Sequence, residues 1–151
     1  MEEELAGERE VTPGHVRVHA DEWILGVRRM APMVVRAPSG EAPRDLILEW
    51  AALVQLLFVA ARRLRRSAGM GVLVGIGGQA LVDALRVFDE ACPDLVKIRD
   101  VGEHFDEGAR GAGRHRLDPP LEARPAVLIA AAEVLYGAIV AATAEVDIAP
   151  V

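Results

Sequence analysis

The feature that most constrains the fold is a long apolar stretch that lies between two sets of helix-end signals. Pro43 and Asp45 are typical of a helix start, and the arginines that follow the stretch suit a helix C-terminus. Only two polar residues interrupt Leu46–Ala61, and a helix that is apolar on nearly every side is a buried helix. The sequence therefore predicts one helix over Pro43–Arg66 and predicts that it is the central, most buried helix.

The same stretch resembles a membrane-spanning segment, because arginines follow it directly. It is shorter than the roughly 20 residues that a bilayer requires, and it contains Glu49 and Gln55. A second apolar run, Ala126–Ala142, has Glu133 near its middle. Since charged groups inside a bilayer are costly, the sequence favours buried core helices, and we expect no contact with a membrane.

Four further segments have apolar residues at helical spacing. They are a short helix over Asp21–Met30 that ends before Pro32, an amphipathic helix over Gln79–Ala91, a helix that begins at Pro93 and fades near Gly108, and an alanine-rich helix over Pro125–Thr143. In the last of these, Leu128, Leu135 and Ile139 share one side, and small alanines on the other side allow a neighbour to approach closely. Aromatic residues make up only 4% of the chain, which is typical of packed helices rather than sheets. The sequence therefore predicts an all-α fold, a four- to five-helix bundle.

Length and composition indicate one domain in a reducing compartment. A chain of 151 residues can bury a core without disulfides, and its single cysteine, Cys92, has no intramolecular partner. The glutamate-rich N-terminus lacks the positive charge and apolar run of a signal peptide. We expect a disordered acidic tail over residues 1–14, a single helical domain over residues 15–151, a cytoplasmic location, no metal and no cofactor. A net charge of -6 restricts any nucleic-acid site to a local basic patch.

A glycine-rich stretch separates the second and third predicted helices. Its last part, Gly75–Ala80, has the G-x-G-x-x-A form of a dinucleotide-binding loop and follows the strand-like run Val72–Val74. Such a loop also requires a second strand that ends in an acidic residue about 20 residues further on, and the sequence supplies neither. The glycines are therefore better explained as the end of one helix and the start of the next, with nucleotide binding as the less favoured alternative.

The residues that suit chemistry lie in the hexad Arg99–His104. A guanidinium matches the geometry of phosphate oxygens, and an imidazole exchanges a proton near neutral pH. On one helix the two side chains lie about 140° apart and bracket a polar face, so a facing helix or a second copy is needed to close a site. Asp100 lies four residues before His104 and can orient the imidazole. The simpler interpretation is a solvated helix face with ion pairs between residues four apart.

The hexad also resembles the R-x(4-6)-H signature of HEPN domains, and the predicted bundle is similar to their fold. In that superfamily the arginine and histidine are catalytic residues of metal-independent ribonucleases, and two subunits typically form one composite site. The resemblance implies that Arg99 binds the scissile phosphate, that His104 acts as general base or acid, and that Asp100 fills the polar position. It also implies a homodimer. The run Glu103–Glu107 resembles short uncharacterised bacterial helical proteins, and this second resemblance implies no activity.

A basic stretch follows the hexad and offers a surface for a phosphate backbone. Its basic residues are Arg110, Arg114, His115 and Arg116. The alternative is an ordinary solvated connection that ends at Pro119 and Pro120 before the last helix.

Two functions from different classes follow from these patterns. One is a HEPN-like RNA-binding protein or endoribonuclease of a toxin–antitoxin or defence system, with RNA and an antitoxin protein as partners. The other is a non-catalytic helical bundle that acts through protein–protein interaction. A carboxylate-bridged metal site is a distant third, because Glu103, His104 and Glu107 lack the Glu-x-x-His spacing that such sites use.

Overall fold

The computed structural model of the chain describes residues 10–93, residue 95 and residues 125–144. These residues form four long helices and, within that part of the chain, no strand. The helices are α1 (Pro13–Val34), α2 (Arg44–Leu73), α3 (Gly78–Ala91) and α4 (Pro125–Ala144). The all-α class predicted from the sequence is confirmed. Of the helix predicted from Pro93 to Gly108, only Pro93 and Leu95 are described, and both are helical.

The first two helices form an antiparallel hairpin. Val16 near the start of α1 lies beside Gly71 near the end of α2, and Gly26 of α1 lies against Ala60 further back along α2. A Cβ atom added at Gly26 would lie 3.4 Å from the Cβ of Ala60, so the two backbones approach closely at this point. Residue numbers rise along one helix as they fall along the other.

The remaining helices continue this up-down-up-down order. Arg65 of α2 pairs with Asp89 near the end of α3, and Gly77, just before α3, lies against Ala142 near the end of α4. Both α1 and α3 pack against α2 and α4, and α2 and α4 also contact each other across the bundle. Consequently the C-termini of α1 and α3 and the N-terminus of α4 lie towards one end of the bundle, and the first turns of α2 project beyond that end.

The core consists of the helix faces that the apolar spacing predicts. Leu128, Leu135 and Ile139 of α4 are buried, as are Leu81 and Phe88 of α3. The largest fully buried side chains are Phe88, Ile24, Leu57, Leu64, Leu81, Leu135 and Ile139. Each contributes roughly 1.5–3 kcal/mol by removing apolar surface from water.

The prediction that Leu46–Ala61 is the most buried stretch is wrong for its first half. Leu46 is 52% exposed and Leu48 is 55% exposed, and the buried residues of α2 begin at Val54. The reason is helix length: α2 has 30 residues and α3 has 14. Because α3 ends soon after the residue that pairs with Arg65, no part of α3 lies beside the first turns of α2.

The first helix is longer than the predicted Asp21–Met30 at both ends. Thr12 caps α1: its side chain accepts a hydrogen bond from the backbone N–H of His15, and its own N–H bonds the His15 ring. Helix α1 therefore includes Pro13 and Gly14, the last two residues of the stretch that was predicted from the sequence to be a disordered tail, residues 1–14. Pro32 lies within the last turn of α1, so the helix ends two residues after the proline rather than before it.

The glycine-rich stretch separates two helices, as the sequence predicts. The strand-like run Val72–Val74 is not a strand. Helix α2 continues past Arg66 to Leu73, and Val74 begins the turn. Gly75 and Gly77 have φ angles of +78° and +74°, which side chains other than glycine rarely adopt. A Cβ at Gly77 would also lie 2.5 Å from the Cβ of Ala142, whereas nothing lies within 4 Å of one at Gly75.

These two glycines provide a matched pair of substitutions. We expect Gly75→Ala and Gly77→Ala each to lower the free energy of unfolding by about 1–2 kcal/mol, because both force a side chain into the left-handed region. Gly77→Ala should cost about 1–3 kcal/mol more, because its methyl group collides with α4. Urea denaturation measures both.

Ala142→Gly in the Gly77→Ala background tests the cause. A double-mutant cycle should show a favourable coupling between positions 77 and 142 and none between positions 75 and 142. Equal losses of unfolding free energy for Gly75→Ala and Gly77→Ala would show that Gly77 and Ala142 are not in close contact.

Candidate functional site

The residues to which the sequence assigns chemistry lie outside the described residues. They are Arg99, Asp100 and His104 of the hexad and Arg110, Arg114, His115 and Arg116 of the basic stretch. The structure neither brings them together nor separates them, and their roles stay predictions. It does describe the residues on either side, Leu95 and Pro125.

The described residues on either side of the hexad lie towards the same end of the bundle. Leu95 is 3% exposed and belongs to the core, and its backbone N–H donates to the carbonyl of Cys92 at 3.1 Å. Arg99 follows Leu95 by four positions in the sequence. Pro125 is the first residue of α4, which is antiparallel to α3. Leu95 and Pro125 therefore both lie at the end where α3 stops and α4 starts.

A cluster of polar side chains joins α1 to α4 and was not predicted from the sequence. Tyr136 donates a hydrogen bond from its hydroxyl to Asp21 Oδ1 at 2.7 Å, and Arg17 Nε donates to the same oxygen at 2.8 Å. Arg28 binds both carboxylate oxygens of Glu133 at 2.7 and 2.9 Å. The guanidinium carbon of Arg28 lies 5.1 Å from the centre of the Tyr136 ring. We call these five residues the Tyr136 cluster.

The hydrogen bonds within the Tyr136 cluster determine the protonation states of its side chains. Desolvation acts to raise the pKa of Asp21, but the hydrogen bonds from Tyr136 and Arg17 outweigh it and hold that pKa below its usual value of 3.8. The hydrogen bond to Asp21 raises the pKa of Tyr136, with desolvation adding to the rise. At neutral pH the phenol is thus a neutral donor and both carboxylates are ionised. The cluster stabilises the contact between two helices, and it contains no group poised to transfer a proton.

Two further contacts tie α2 to its neighbours. Arg65 Nε and Nη2 donate to the two carboxylate oxygens of Asp89 on α3 at 2.5 and 2.6 Å. On the opposite side, the guanidinium carbon of Arg63 lies 5.7 Å from the centre of the Trp23 ring on α1. The sequence assigns these arginines only to the last turn of a helix, whereas α2 continues beyond them and they pair with other helices.

A shallow groove lies between the C-terminus of α1 and the N-terminus of α2. Its volume is about 360 Å³, and Met33, Leu46 and Leu53 provide apolar walls. Trp50 also lines it and donates from its indole N–H to the carbonyl of Val34 at 3.1 Å. The charged lining residues are one arginine and one glutamate. The groove offers apolar contact, but among its lining residues there is no nucleophile or metal-ligand set.

The described part of the chain has no cluster of metal ligands and one helix with the composition of a membrane span. Within residues 10–93, 95 and 125–144, no group of three or more histidine, cysteine, aspartate or glutamate side chains is placed to hold a metal ion. In the same residues α4 alone has the length and composition of a membrane span, with a mean hydropathy of 2.0. Core helices of soluble proteins also meet this criterion, and Glu133 in the middle of α4 forms its ion pair with Arg28.

The chain has no significant match among protein-family models, curated proteins or solved structures. Its function is therefore argued from its own residues.

Glu133 makes the stability of the bundle depend on pH. The hydrogen bond from Arg28, opposed in part by desolvation, holds the pKa of Glu133 below its usual value of 4.5. The ionised carboxylate therefore stabilises the folded state above pH 4.5, and this contribution is lost as the pH falls through the lowered pKa. We expect Glu133→Gln to reduce the urea midpoint at pH 7 and to reduce it less at pH 3.

Glu90→Gln is the matched control, because Glu90 is 63% exposed and pairs with Arg86 one turn away on α3. It should change the urea midpoint less than Glu133→Gln does at pH 7. A Glu133→Gln effect that persists undiminished at pH 3 would contradict the assigned pKa direction.

Cys92 should be a slow nucleophile in the folded protein. Desolvation in the first place, and the charge of Asp89 in the second, raise the pKa of its thiol to about 11. At pH 8 only about one thiol in a thousand is then ionised, compared with about a quarter for a free cysteine of pKa 8.5. We expect its reaction with an aromatic disulfide reagent to accelerate about a hundredfold in urea. An equal rate in native and unfolded protein would show that Cys92 is neither desolvated nor close to Asp89.

Proposed function

We propose that this protein is a HEPN-like RNA-binding protein and metal-independent endoribonuclease that acts in the cytoplasm as part of a toxin–antitoxin or defence system. One observation supports the proposal most. The described helices form an up-down-up-down bundle, and the buried Leu95, which precedes Arg99 by four positions in the sequence, lies at one end of it. In the proposed arrangement Arg99 and His104 lie close to that end and meet the same motif of a second copy.

The chemistry follows from the two side-chain types. The 2′-hydroxyl of the RNA attacks the adjacent phosphorus, a bond to the 5′-oxygen of the next nucleotide breaks, and a 2′,3′-cyclic phosphate remains. Arg99 offsets the negative charge that grows on the phosphate oxygens, and His104 accepts the proton of the hydroxyl or donates one to the leaving oxygen. Asp100 holds the imidazole in position. No step requires a metal ion.

Acidic residues follow the motif arginine closely in the sequence, so the basic stretch must supply the positive charge that attracts RNA. Glu103, Asp106 and Glu107 place negative charge beside His104 and oppose the approach of RNA. Arg110, Arg114, His115 and Arg116 follow within a few residues and supply positive charge for the phosphate backbone. RNA binding should therefore weaken steeply as the salt concentration rises.

Substitution of the two motif residues tests the activity. We expect purified protein to cleave RNA in the presence of EDTA and to leave 2′,3′-cyclic phosphate ends. Arg99→Ala and His104→Ala should each reduce the rate by about 10²- to 10⁴-fold, the usual contribution of a positioned acid or base. Rates are measured on a fluorescent RNA and ends by mass spectrometry.

The matched controls are Arg86→Ala and His19→Ala, which remove the same side-chain types from exposed positions on α3 and α1. They should cleave at the wild-type rate, and circular dichroism should show all four variants folded. A folded wild type that cleaves no member of a random RNA pool, or activity that survives both motif substitutions, would rule out the enzyme.

A second candidate function is a non-catalytic bundle that works through protein–protein contacts. The observation that favours it is the exposed apolar surface of α2, where Leu48, Leu56 and Val59 are 55%, 55% and 49% exposed. Isolated apolar side chains on a surface are ordinary, but a group on one helix face indicates a contact.

A further inference from the structure

The face of α2 that points away from the core carries an apolar stripe. Its members are Leu48, Ala52, Leu56 and Val59, which follow each other at intervals of four, four and three residues and are all exposed. On a helix this spacing places them on one side, opposite the buried Leu57, Ala61 and Leu64. We call these four residues the α2 stripe. It lies outside the bundle contacts described above.

Charges of opposite sign lie at the two ends of the α2 stripe. Asp45 and Glu49 are exposed near its N-terminal end, and Arg63 and Arg66 are exposed near its C-terminal end. Position 45 precedes Leu48 by three residues, and position 66 follows Val59 by seven. From Glu49 to Arg63 the distance along the helix is about 21 Å at 1.5 Å per residue. Arg44 is also exposed at the N-terminal end, so this end carries two acidic groups and one basic group, whereas the middle is apolar and the C-terminal end is basic.

A surface with this charge order is complementary to itself when one copy is turned end to end. In an antiparallel pair centred near Leu56, Glu49 of one copy faces Arg63 of the other, and Asp45 faces Arg66. Ala52 then faces Val59, so a small side chain lies opposite a larger one. Both charge pairs occur twice, as a two-fold axis requires. A parallel pair would instead place like charges opposite each other at both ends.

We propose that the α2 stripe is the interface of a homodimer in which two α2 helices pack antiparallel. The alanine-rich side of α4 also allows a neighbour to approach closely, but we do not place the interface there, because that side has small residues without complementary charges beside them. The proposal does not depend on ribonuclease activity. A stripe of four residues on one helix gives a small interface, so we expect dissociation at concentrations on the order of micromolar.

Charge reversal tests the proposal. Sedimentation equilibrium of the full chain should show a mass that rises with concentration towards twice the 16.2 kDa chain mass. Glu49→Arg alone and Arg63→Glu alone should each raise the dissociation constant about tenfold or more, because each places two pairs of like charges across the interface. The double variant should return to the wild-type range, since its charges are again opposite when the helices are antiparallel.

Arg63→Glu also removes the contact with Trp23 within the chain. The double variant lacks the same contact, so its return to the wild-type range would show that the loss of this contact does not explain the weaker association of the single variant. Thermal melting should show that all three variants fold. A parallel dimer would not respond in this way, because like charges would face each other in the wild type and in all three variants. Failure of the double variant to restore association would therefore overturn the antiparallel arrangement.

Two valine substitutions distinguish the α2 stripe from the alanine-rich face of α4. Val59→Glu alters the α2 stripe, and Val134→Glu alters the exposed face of α4, where the valine is 62% exposed. We expect Val59→Glu to abolish the dimer and Val134→Glu to leave it intact. The reverse result would place the interface on α4 and overturn the proposal. A wild type that stays monomeric at several hundred micromolar would overturn the proposal too. A monomer that binds anionic phospholipid vesicles more tightly after Glu49→Arg would also overturn it, because the α2 stripe would then contact a membrane surface and not a second copy.

Discussion

The close approach of helices at small residues is the constraint on which this bundle depends. With few aromatic side chains available, the core is filled mainly by alanine, valine, leucine and isoleucine, so the helix axes must lie near each other for these residues to touch. Helix α2 carries most of the small contact residues: Ala60, Ala61, Ser67, Ala68 and Gly71 are all buried. The hydroxyl of Ser67 bonds the carbonyl of Arg63 within its own helix, so this tight packing leaves no unsatisfied donor.

The polar contacts between helices lie at the edge of this core and restrict how each helix is rotated against its neighbours. Arg28 with Glu133 and Arg65 with Asp89 are both two-point pairings between different helices. A two-point pairing fixes the orientation of both side chains, which a single contact does not. Because these groups remain about one-third to one-half exposed, solvent weakens their electrostatic energy. Their main effect is to favour one rotation of each helix over the others.

Helix faces could be predicted from the sequence, whereas the relations between distant residues could not. The spacing of Leu81 and Phe88 marks the buried face of α3 because apolar periodicity reflects burial directly. The stretch Leu46–Ala61 is apolar on all sides, so its pattern contains no information about which end projects beyond a shorter neighbour. Tyr136 and Asp21 are 115 positions apart, and no local signal connects them. The Thr12 cap was missed at the level of the sequence, although a threonine directly before a proline is the signal for it. The roles of Arg99 and His104 stay predictions, because those residues lie outside the described part of the chain.

The contact of Gly77 with α4 restricts where the connections of this bundle can change in length. Gly77 has a φ of +74°, and a Cβ at this position would lie 2.5 Å from the Cβ of Ala142, so the turn before α3 is positioned by a packing contact as well as by the chain. The connection between α1 and α2, residues 35–43, includes Gly40, where nothing lies within 4 Å of an added Cβ. An inserted tag or a new chain terminus is therefore better tolerated between α1 and α2 than between α2 and α3.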